Sequence, residues 1–206
     1  MKNDMLKITV RTVVLLYVVL IWPQIGMAAD ARHYYEKGTD YLREGNLDEA
    51  ITALTNAIAL KHNYSKAYNN RGLAYYRQDK DIQAEKDFLK AIQFNPNDEK
   101  AYNNVAIVLC KQEQYDQALV YLNQAIVLMK ETERYHADVY NNLAFVCMKK
   151  GMYKEAIEAY NQAHRIIGNK NIDLSDGYAG ETILRDQITL DQHIDGHPLT
   201  AKFYGK

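Results

Sequence analysis

His193 and His197, four residues apart with Asp191 and Asp195 nearby, are the side chains best typed for metal chemistry in this chain. A zinc site needs imidazole, thiolate and carboxylate donors in a fixed arrangement. Gly196 breaks the helix that would present the histidine pair, and no second cluster completes a ligand set. The segment reads as a solvated tail. The only thiols are Cys110 and Cys147. Two cysteines make no disulfide framework, and they read as small apolar packing residues, with a bridge as the alternative. No Ser-His-Asp set, carboxylate pair or phosphate loop has the spacing its reaction requires. What recurs is an amide: "YNN" begins at 68, 102 and 140. An Asn side chain carries two donors and an acceptor. Helix interiors disfavour it, because it competes for backbone hydrogen bonds.

A repeat positions those amides. Ala50, Ala84, Ala118 and Ala156 keep the same intervals as Ala57, Ala91, Ala125 and Ala163, namely 34, 34 and 38 residues. Gly38, Gly72, Ala106 and Ala144 follow the same steps, and Tyr34, Tyr68, Tyr102 and Tyr140 stand four residues before them. Within 65–98, Ala67, Tyr68, Gly72, Tyr75 and Tyr76 fall in a three-four rhythm, which predicts a helix. "RQDKD" interrupts it, and a second rhythm runs from Ile82 through Ala84, Phe88, Ala91 and Phe94 to a stop at Pro96. Each unit is therefore helix, turn, helix. Small residues at fixed places let the two helices approach closely. One hairpin has too little core to stand alone, so the units must stack. The four extra residues near "ETERYHAD" predict a lengthened second helix in the third unit or a widened connection.

Period and residue types resemble the tetratricopeptide repeats, with units at 31–64, 65–98, 99–132 and 137–170. The second unit carries the motif as Tyr68, Arg71-Gly72, Tyr75, Ala84, Phe88, Ala91 and Pro96. Departures are His62, Lys130 and Gly168 at the proline place, and Leu109 and Cys147 where Tyr41 and Tyr75 stand in earlier units. The resemblance implies an all-α, right-handed α-solenoid of four hairpins. Its first helices would line a concave groove for an extended peptide, with no catalysis and no cofactor.

Carried over by position, the groove presents Asn69, Asn70, Tyr76 and Arg77 from the second unit. The third offers Lys100, Asn103, Asn104 and Lys111, and the fourth Asn141, Asn142 and Lys149. The amides would read a peptide backbone without demanding particular side chains. Arg43, Arg77, Lys111 and Lys149 form a basic series near the ends of the first helices, where a cation also complements the helix dipole. With Lys66 and Lys100 they point to an acidic or carboxylate-bearing partner. Of the family's five-residue Lys/Asn/Asn/Lys/Arg carboxylate clamp, only Asn70 and Lys100 are matched. Tyr35, Thr39 and Asn104 occupy the other places.

A net charge of −1 gives no bulk attraction for nucleic acid or anionic membrane. Lys2, Lys7 and Arg11, then the apolar run "TVVLLYVVLIW", then "GMAAD", have the layout of a secretory signal cut after Ala28. An uncleaved membrane anchor is the competing reading. Removing 1–28 takes three basic residues and Asp4, leaving −3. The domain limits are then 1–28 for the leader, 31–170 for the repeats and 171–206 for the rest. Within that last segment "GETILRDQITLD" predicts a helix whose Ile183, Leu184 and Ile188 close the open end of the stack, followed by a tail. The sequence therefore predicts an exported, periplasmic or secreted, adaptor or assembly factor that binds protein or peptide. A homo-oligomeric scaffold using the same face is the alternative.

Overall fold

The computed structural model describes residues 22–129 and 134–167, with side chains over 30–129 and 136–166. Eight helices are found among them, and no strand. They are α1 (Trp22–Glu44), α2 (Leu47–Leu60), α3 (Ser65–Arg77), α4 (Asp81–Phe94), α5 (Glu99–Lys111), α6 (Tyr115–Leu128), α7 (Arg134–Lys149) and α8 (Tyr153–Ile167). The four hairpins are α1–α2, α3–α4, α5–α6 and α7–α8. Residues 1–21 and 168–206, including most of the expected leader, the histidine pair and the expected closing helix, lie outside the described residues.

Every hairpin turns by the same device. Asn46, Lys80, Gln114 and Met152 donate their backbone N–H to the carbonyls of Tyr41, Tyr75, Leu109 and Cys147, at 2.8–2.9 Å. The residue before each donor is left-handed: Gly45 (φ 83°), Asp79 (φ 56°), Glu113 (φ 59°) and Gly151 (φ 72°). This pattern satisfies carbonyls that a helix end would otherwise leave open. A left-handed residue costs little for Gly and about 1–2 kcal/mol for a residue with Cβ, so units 2 and 3 carry a penalty that units 1 and 4 avoid. Between hairpins, α4 ends at Phe94, two residues before Pro96. Asp98 then caps α5 by accepting from the Ala101 N–H.

The alanine series are closed places. Ala50, Ala84, Ala118, Ala156, Ala57, Ala91, Ala125 and Ala163 all have 0% exposure. At Gly72 an added Cβ would stand 2.7 Å from the Phe88 ring. That ring is itself 1% exposed, so the glycine is what allows α3 and α4 to pack this closely. First helices also touch first helices, α1 with α3, α3 with α5 and α5 with α7. They form the continuous inner layer on which an interaction face can be built.

The extra four residues do not lengthen the second helix of the third unit. α6 has 14 residues, as α2 and α4 do. Instead α7 has 16 residues where α3 and α5 have 13. The insertion adds about one turn to the front of the next helix, so the fourth unit starts before 137.

Candidate interaction surface

The paired asparagines meet across neighbouring first helices. Asn104 Nδ2 donates to Asn69 Oδ1 at 2.9 Å, and Asn142 Nδ2 donates to Asn103 Oδ1 at 2.9 Å. The second Asn of one unit thus bonds the first Asn of the unit before it. Unit 1 has Tyr35 at the acceptor place. Asn70 Nδ2 lies 3.5 Å from the Tyr35 hydroxyl oxygen and donates to Thr39 Oγ1 at 3.0 Å. Asn69, Asn103, Asn104 and Asn142 are buried, at 8%, 1%, 7% and 2% exposure. Their amides act first as inter-unit polar contacts, in a layer where an unmade hydrogen bond is costly. Asn70 and Asn141 remain half-buried. The signal for this pairing was the doubling itself, since a donor and an acceptor are needed at each joint.

Two of the basic series, Arg77 and Lys111, are also tied to neighbouring units. Arg77 Nη1 donates to the Leu42 carbonyl at 2.8 Å, and burial pulls its pKa down. Lys111 Nζ lies 2.7 Å from Asp79 Oδ1 and 3.0 Å from Asp81 Oδ1. Burial opposes its charge, yet these two carboxylates raise its pKa. It also sits 5.3 Å above the ring of buried Tyr76. Arg43 pairs with Asp40 in its own helix, and Lys149 lies over the Phe145 ring. Lys150 reaches Asp116 across the last joint. Beside the amides, Arg71 grips Asp87 with Nε and Nη2 at 2.7 and 2.9 Å and reaches Thr55 at 3.1 Å. Through these two partners Arg71 ties α3 to both α4 and α2.

Lys66 is exposed and Lys100 half-buried. Lys66 stands one turn before Asn70 on α3, and Lys100 one turn before Asn104 on α5. Half-buried Tyr35 packs on Tyr64, with centroids 5.0 Å apart. The first two units therefore offer Tyr35, Thr39, Lys66 and Asn70. The third is closed, for Asn103–Cys110 are all buried. Cys110 and Cys147 are free buried thiols. Burial pushes Cys110 up to about 12 and also raises Cys147. Among the described residues there is no cluster suited to a metal ion. No described helix is long and apolar enough to cross a membrane.

No curated protein sequence matches the chain significantly. Solved structures of similar shape include the Pseudomonas aeruginosa pilF protein, at TM-score 0.66 and 17% identity, covering 87% of this chain and 80% of that one. MamA matches at TM-score 0.60 and 20% identity, over 68% of this chain and 79% of its own. The first repeat domain of Spaghetti (RPAP3), solved with an HSP90 peptide bound, matches at TM-score 0.56 and 24% identity, over 60% and 98%. At such identities the likeness is one of fold. Two models described as tetratricopeptide repeat match residues 98–169 and 65–98, and one described as TPR repeat matches 34–79. Together they run over most of the described helices, and the chain belongs to the tetratricopeptide-repeat family.

Proposed function

We propose that this solenoid binds a peptide or protein segment along its first helices, as an adaptor or assembly factor outside the cytoplasm. The observation that carries the reading is the half-open cluster in units 1 and 2. There Tyr35, Thr39 and Asn70 gather at one joint, with Lys66 one turn before Asn70 on the same helix. Tyrosine supplies a flat apolar contact with a polar tip. Thr39 and Asn70 retain acceptor lone pairs for backbone N–H groups. Lys66 favours a segment bearing carboxylates. A solved structure of the same fold carries a bound peptide, which supports peptide binding by this solenoid. The leader-like 1–28 supports export.

The test is capture from envelope extract by wild type and by a Lys66→Glu variant, a change lying outside the amide contacts. Selective loss of captured protein in the variant is expected, with an unchanged melting temperature. Equal capture would overturn the reading. If light scattering shows a dimer that the same variant dissolves, the face serves self-association instead. The intact mass of the isolated protein decides whether residues 1–28 are removed.

A further inference from the structure

Tyr64 stands where a helix start usually carries a capping side chain. It is the N-cap residue of α3, and its side chain makes no cap hydrogen bond. At the matching place of the next unit, Asp98 caps α5 by accepting from the Ala101 N–H. Ser, Thr, Asp and Asn fill that place well, and an aromatic ring gives up the bond. The Tyr64 ring instead packs at the edge of the half-open cluster. It lies on Tyr35, with centroids 5.0 Å apart and planes 35° apart. Lys61 Nζ stands over the Tyr64 ring, 4.7 Å from its centroid. Both tyrosines are half-buried. We propose that Tyr35 and Tyr64 seat a proline ring of an extended acidic guest, their hydroxyls donating to the carbonyls beside it, while Lys66 takes a neighbouring carboxylate.

The chemistry of the edge selects this occupant. Hydrogen-bond donors dominate there. Burial, then Tyr35 and Glu36, raise the Tyr64 pKa, with Arg32 opposing, so the phenol keeps its hydrogen to give. The Tyr35 hydroxyl oxygen takes only a long contact from Asn70 Nδ2, at 3.5 Å, and its own hydrogen is likewise available. Lys61 and Lys66 are exposed ammonium groups. The nearby carboxylate, Glu36, is held by Arg32 at 2.8 Å. Proline has no N–H, so it brings to these donors only carbonyls. Its ring packs on aromatic faces, and the polyproline II form it favours is set before binding, with carbonyls unpaired. An aromatic guest residue would bring an N–H that the tyrosines cannot receive. Ordinary residues on either side supply the N–H groups for Thr39 and Asn70. The inference rests on the reading that units 1 and 2 hold a peptide, and adds which residue meets the rings.

The experiment measures binding of the full chain, by fluorescence anisotropy, to two labelled peptides with amidated C-termini. One repeats the triplet Pro-Ala-Glu and the other, of equal length and charge, Ala-Ala-Glu. Amidation leaves no terminal carboxylate to contribute. The proline peptide is expected to bind about tenfold tighter. Tyr64→Ala should abolish that preference, and Tyr64→Phe, which keeps the ring, should weaken the proline peptide about threefold. Circular dichroism confirms that each variant is folded before binding is read. Lys66→Glu should weaken both peptides alike. Equal affinity for the two peptides, both weakened by Lys66→Glu, would overturn the proline assignment and leave the peptide reading standing. A preference that survives Tyr64→Ala would also overturn the assignment, and binding of neither peptide would overturn both.

Discussion

A buried amide pair does its work only when both members are present. Asn103→Ala leaves Asn142 Nδ2 at 2% exposure with its present acceptor gone. We expect a loss of about 1–3 kcal/mol, from the unmet hydrogen bond and the small cavity, read by urea denaturation. A loss below a few tenths would show that water replaces the acceptor at no cost. Asp98 gives a pH-dependent case. The Ala101 N–H and the start of α5 favour its charge, but burial and then Glu99 outweigh them and raise its pKa. A carboxyl raised on folding supports the fold below its ordinary pKa, and that support is lost as pH rises through the raised value. Asp98→Asn keeps a capping side chain without the charge. It should raise the melting temperature at pH 7 and give no gain below about pH 4. An equal gain at both pH values would refute this account of Asp98.

Among the elements, the hairpins and their order were legible because period and small residues report the same packing from several positions at once. Pro96 and Gly72 marked a helix end and a close approach that the structure contains. The destination of the inserted four residues was not legible, since nothing between 127 and 150 breaks a helix. The sequence reading placed them in a longer α6 or a wider connection, and the growth of α7 went unforeseen. The joints between units were half legible. Doubled asparagines were visible, but whether they face a guest or one another depends on how first helices cross, which residue types do not encode. The turns carry their own prediction. Glu113→Gly removes the left-handed strain at φ 59° and should stabilise the protein by up to about 1 kcal/mol. Greater chain entropy in the unfolded state offsets part of the gain. A lower melting temperature would mean that the Glu113 side chain makes a contact worth more than the strain.

At the scale of the whole molecule, the joints explain why so little of the inner layer is open. Most of the polar groups expected to meet a guest hold unit to unit, and the third unit is sealed. What remains open lies in units 1 and 2, and that is where a guest should sit. Photocrosslinking tests this most directly, with a benzophenone amino acid at position 66 on α3 and, separately, at the exposed Val120 on α6. The account predicts adducts to a distinct partner from position 66 and none from position 120. Equal labelling from both positions, or labelling from position 120 alone, would contradict it.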